Sequence, residues 1–127
     1  MPALDPSGTE TIARFAQSMG LTALRNEDDS FGFEFADSGR LSLMSDDSGD
    51  AVLVSLTRRI LLDDFVPLAR LAAVSGYDDL AGVMVQAGLT RTGQPVLTAT
   101  LARRDFDLPR LDALFSRLRA SFAAQGL

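Results

Sequence analysis

Cysteine, histidine and lysine are all absent from this 127-residue chain. Without cysteine there are no disulfides, no thiolate nucleophiles and no cysteine-held metals. The composition fits a reducing compartment. Without histidine the commonest general base near neutral pH and the commonest transition-metal ligand are both missing. All twelve basic residues are arginine, a usage read here as the mark of a GC-rich genome, and 17 acids outnumber them to give a net charge of −5. Phosphate binding needs clustered positive charge, so this sum argues against nucleic acid and against an anionic membrane surface. A partner with basic character suits such a chain better. No apolar run approaches the roughly 20 residues that cross a bilayer. The start, Met1-Pro2-Ala3-Leu4-Asp5-Pro6, lacks the basic and apolar blocks of a signal peptide. A cytoplasmic protein without membrane insertion is expected.

Motifs for chemistry are also scarce. There is no GxGxxG or Walker pattern. Four aspartate pairs occur, Asp28-Asp29, Asp46-Asp47, Asp63-Asp64 and Asp78-Asp79. Asp46-Asp47-Ser48-Gly49-Asp50 is out of register for a calcium loop. Each pair falls in an expected loop or at a helix start, where caps and turns account for it. Arg58-Arg59 and Arg103-Arg104 follow strands and are read as solvated ends or intersubunit ion pairs. No catalytic residue, metal site or cofactor is expected.

What remains is patterning. The hydrophobic share is 46%, enough for one folded domain over residues 1–127. Ile12, Phe15, Ala16 and Met19 recur at helical spacing, so Ser7 to Met19 reads as a helix with a Ser7/Glu10 capping box. Gly20 is its left-handed stop, and Leu21 packs back on the last turn. After a polar loop over Leu24 to Ser30 the period becomes two. Phe31, Phe33 and Phe35 share one face of a strand, and Asp37-Ser38-Gly39 turns the chain. Arg40 to Met44, with Leu41 and Leu43 on one face, and Ala51 to Thr57 complete a three-stranded meander. Asp63 or Asp64 caps a second helix carrying Phe65, Leu68, Leu71 and Ala72, and Tyr77 to Gly82 reads as a loop. Val83 to Thr90 and Pro95 to Leu101 are two further strands around Thr92-Gly93. A last helix starts at Asp107 with the stripe Leu111, Leu114, Phe115, Leu118 and Phe122. The order α-β-β-β-α-β-β-α gives an α+β class: a twisted antiparallel sheet with helices mainly on one face.

That order resembles the class I type III secretion chaperones, the family that includes the chaperone of the intimin receptor Tir. The features that carry the resemblance span nearly the whole chain. They are the helix ending in Gly20-Leu21, the aromatic strand Phe31-Gly32-Phe33-Glu34-Phe35 with its Asp37-Ser38-Gly39 turn, the pair of strands from Val83 to Leu101 and the helix Leu108 to Phe122. A pI near 4.5 fits as well. The resemblance implies a non-catalytic homodimer that keeps an extended N-terminal segment of a secreted effector soluble and secretion-competent. It implies effector contact at apolar positions of the first helix and nearby strands, here Ile12, Phe15, Met19, Leu21, Phe33, Phe35, Leu41 and Leu43. It implies a dimer interface on the second helix and the following strand, here Phe65, Leu68, Leu71, Val83, Val85 and Leu89. Ordinary intradomain packing is the competing reading for both sets. The competing function is a general protein-interaction or adaptor domain of the same architecture, not tied to secretion.

Overall fold

A computed structural model describes residues 4–36, 39–59, 65–73, 75–78 and 82–127, with the backbone alone for 65–68 and 78. The turn at Asp37-Ser38, the cap at Asp63 or Asp64, and Asp79 therefore lie outside the described residues. The element order is α1 (Pro6–Ser18), β1 (Leu24–Arg25), β2 (Phe31–Phe35), β3 (Gly39–Ser45), β4 (Ala51–Thr57), α2 (Phe65–Ala72), β5 (Gly76–Asp78), β6 (Val83–Leu89), β7 (Pro95–Ala102) and α3 (Leu108–Ala124). A short 3-10 turn, Arg103–Asp105, leads into α3. The strands form one seven-stranded sheet in the order β1-β2-β3-β4-β7-β6-β5, antiparallel throughout. The expected α+β architecture is present, with two additions. β1 and β5 lie where loops are expected. Each is only two or three residues long, too short to show a period, and exists because a longer neighbour supplies the pairing.

The start of α1 also differs from expectation. Asp5, not Ser7, is the N-cap: its Oδ1 accepts the Gly8 N–H at 2.7 Å, and Pro6 occupies the first helical position. Proline suits that place because its missing N–H is one the helix leaves unpaired anyway. Glu10 instead meets Arg14 at 3.0 Å on the exposed face. Asp5 Oδ2 also pairs with Arg103 Nε at 2.8 Å, fastening the helix start to the end of β7. The helix ends as expected. Gly20 has φ 67°, and the Leu21 N–H donates back to the Ala16 carbonyl at 2.9 Å.

Side chains alternate cleanly across the sheet. Leu41, Leu43, Val52, Val54, Leu56, Leu97, Ala99 and Leu101 are buried on one face. α1 and α3 cover that face with Ile12, Phe15, Leu111, Leu114, Phe115, Leu118 and Phe122. Asp107 caps α3 as expected, its side chain accepting the Arg110 N–H at 2.9 Å. α2 adds Leu71 against the same face near β6. At the centre Phe15 meets Phe33 and Phe115 edge-on, with centroids 5.4 and 5.7 Å apart. No helix among the described residues is long and apolar enough to cross a membrane.

Candidate functional site

The eight residues expected to meet an effector fall into two groups. Ile12, Phe15, Leu41 and Leu43 have no exposed surface, and Phe33 has 1%. They form the seam between α1, α3 and the sheet, and the expectation that they face a partner is corrected to a core role. The physical reason is plain: the α1 stripe and the Phe row are the two surfaces that hide each other. Met19, Leu21 and Phe35 keep accessible surface. Met19, the C-cap of α1, is 38% exposed, and Leu21 and Phe35 are half-buried against the core. Phe35 rests on Phe115 with centroids 4.8 Å apart. Leu24 on β1, 56% exposed, joins them as an apolar residue that the sequence placed in a polar loop.

The interface set divides similarly. The side chains of Phe65 and Leu68 lie outside the described residues. Leu71, Val83 and Val85 are buried in the chain's own core, so they too are corrected from interface to core. Leu89 remains, strongly exposed at the far end of β6. β5 covers β6 only from Val83 to Val85; further along, the outer edge has no strand beside it among the described residues, and the Ser75 hydroxyl takes the Ala87 N–H at 2.9 Å. An apolar groove of about 190 Å³ runs here, lined by Ala69, Leu71, Ala72, Ala87, Gly88, Leu89 and Pro95. The period of β6 puts Met84 on the opposite face beside Tyr77, its partner on β5, and both are more than half exposed. Sequence reasoning missed these two because it followed the valines of β6 and treated Tyr77 as a loop residue.

The second face of the sheet carries no helix among the described residues. Met44 pairs with Leu53 and Leu53 with Thr100, a strip directed to the same side as Met84 and Tyr77. Beside it runs a polar row, Ser42, Ser55 and Thr98, with the Ser55 and Thr98 hydroxyls 3.0 Å apart.

The charged groups serve structure. Asp28 accepts from both the N–H and hydroxyl of Ser30, at 3.0 and 2.5 Å, which holds its carboxyl below the usual aspartate range. Asp46 is lowered likewise, chiefly by the Ser48 hydroxyl. Arg58 is not a solvated strand end. It lies 4.8 Å over the Phe122 ring and donates to the Leu127 carbonyl, and burial, then the charge of Arg119, lowers its pKa. Among the described residues no group of three or more acids is placed to hold a metal ion.

The fold recurs in solved structures, first as a class. The chain superposes over nearly its full length on type III secretion chaperones at sequence identities that establish the shared fold alone. One is the chaperone SycH of Yersinia pestis in complex with a fragment of YscM2, with TM-score 0.69, 15% identity and 93% of this chain matched to 98% of that one. Another comes from the HopA1–SchA chaperone–effector complex, with TM-score 0.68, 15% identity and coverage of 96% and 97%. Outside that class, the chain also superposes on YbjN from E. coli, described as a putative transcription regulator, with TM-score 0.52, 14% identity and 97% of both chains covered. No family model and no curated protein matches the sequence.

Proposed function

We propose that this chain is a non-catalytic chaperone of type III secretion that works as a homodimer. It binds an extended N-terminal segment of a secreted effector and keeps that segment soluble and ready for export. The observation that carries the reading is the match of the whole chain to chaperones of that system, two of them in complexes with their partners. The surface supports it. Among the described residues the sheet ends in strands of two and three residues, which leave most of the β2 and β6 edges without a paired strand and available to an added one. Apolar residues with accessible surface occur on or next to both outer parts of the sheet: Met19 and Leu21 at the end of α1, Leu24 on β1 and Phe35 on β2 at one side, and Leu89 with its groove on β6 at the other. We assign the first group to effector contact and the second to the dimer, which doubles every site and adds avidity.

The test is co-expression with secretion substrates encoded beside the gene. An effector's N-terminal segment should co-purify in a complex of two chaperone copies and one effector, and should resist a protease that cleaves it when free. A monomer by light scattering that captures none of these substrates overturns the reading. The alternative, an interaction domain unconnected with secretion, is favoured by one observation, the same fold in a chain described as a putative transcription regulator. Partners encoded away from any secretion locus would select it.

A further inference from the structure

We propose that the sheet face that carries no helix among the described residues reads an acidic side chain on the bound segment, through a basin formed by Arg40 and Arg59. This rests on the client-binding reading above and specifies the chemistry of the client. The basin has a volume of about 660 Å³, and Ser42, Thr57 and Thr90 line it together with Glu34 and the two arginines. Among the described residues, two arginines against one glutamate leave one positive charge in excess, in a chain whose net charge is −5. The local preference is thus opposite to the one that the whole-chain charge suggests.

Arg40 is held in place before any ligand arrives. Its Nη1 donates to Glu34 Oε1 at 2.9 Å, and its guanidinium lies against Gly32, whose Cβ, if present, would be 2.9 Å from Nη2. Gly32 is buried although it sits on the open face, because Arg40 roofs it. A guanidinium has five N–H donors in a rigid fork, and one of Arg40's engages Glu34. Arg59 is exposed and has no ion-pair partner among the described residues. A carboxylate entering the basin meets two guanidiniums and a rim of hydroxyls, a setting for charge-assisted hydrogen bonds.

The neighbouring strip makes the ligand a peptide. Met44 follows Arg40 by four residues on β3 and points to the same side, roughly 13 Å along the strand. Leu53 lies beside Met44, and Met84 with Tyr77 extends the apolar surface. An extended guest whose acidic and large apolar side chains are four residues apart presents both on one face, at the same separation.

The test uses a labelled β-prone peptide carrying one Glu and one Leu four residues apart, and its Glu→Gln counterpart, titrated by fluorescence anisotropy. The Glu peptide should bind about tenfold tighter, a factor that one charge-assisted contact can supply. The preference should shrink in high salt. It should vanish in Arg59→Glu and weaken in Gly32→Ala, which displaces the Arg40 guanidinium while leaving the backbone free to keep its path. Thermal melts of both variants, and of Arg59→Gln as a milder change, show whether the fold is kept. Equal affinity for the two peptides overturns the acidic preference and leaves client capture standing. Absence of binding to either peptide overturns the preference alone if the effector complex of the preceding test forms, and both readings if it does not. A preference that survives Arg59→Glu overturns the assignment. So does a change of Arg59→Glu from dimer to monomer, which would make this face an interface between copies.

Discussion

Phe15 and Phe33 meet edge to face, centroids 5.4 Å apart and planes at 76°, with neither ring exposed by more than 1%. This contact joins α1 to β2 at the centre of the core. Phe15→Ala should cost about 3–5 kcal/mol, the range for a buried phenylalanine truncated without collapse of the site. Phe15→Glu should not fold at all, since it buries a charge with no partner. Urea unfolding of the alanine variant checks the first, and circular dichroism of the glutamate variant the second.

Met19→Glu should separate binding from folding. The side chain is at the helix end and 38% exposed. Stability should change by no more than about 0.5 kcal/mol, while effector capture should fall about tenfold. Thermal melts and pull-down on the same preparation decide it, and unchanged capture removes Met19 from the contact surface.

For the proposed dimer, the informative residue is Leu89 rather than Val85. Leu89→Arg should halve the mass measured by light scattering and leave the monomer folded. Val85→Arg should instead unfold the chain, because Val85 lies in the core with 5% exposure. A Leu89→Arg protein that stays dimeric places the interface elsewhere.

Gly39→Ala should destabilise strongly. Its φ of 99° is open to glycine and costly for any other residue, and an added Cβ would collide with the Thr57 carbonyl oxygen on the adjoining strand. The loss should reach at least about 1–3 kcal/mol, read from the urea midpoint. It would splay the β3–β4 pair at its first residues.

Asp28 gives a pH signature. Its carboxyl is held below the ordinary value of 3.8 by Ser30. A group whose folded pKa lies below its unfolded one stabilises the fold fully at neutral pH and loses that contribution as pH falls through the folded value. Ser30→Ala should therefore raise the Asp28 midpoint in an NMR titration and reduce stability at neutral pH, with the difference from the parent closing as pH falls through the lowered folded value.

Much of this fold can be read from the chain. Gly20 and Asp107 mark helix ends, and the stripe from Leu111 to Phe122 and the alternation in β3, β4 and β7 mark buried faces. These signals are local and strong. Periodicity says which residues share a face, but not which faces find a cover within the same chain. That is why Ile12, Phe15, Leu41 and Val85 read equally well as surface or core. Leu24 and Tyr77 were hidden for a different reason: their strands are created by the neighbour and leave almost no mark in the sequence. The Arg40 roof over Gly32 was hidden too, since it depends on the pairing of Gly32 with Ser42 and of Glu34 with Arg40.

The strand order has a consequence for how the molecule assembles. Every pairing but one links consecutive strands; the exception is the seam of seven residue pairs between β4 and β7, which lie some forty residues apart in the chain. Two meanders can each zip up early, but joining them requires closing a long loop, an entropic cost paid before the shared core rewards it. During synthesis the first meander emerges with β4 bare until β7 follows, so the acquisition of the native state should be paced by this one late suture.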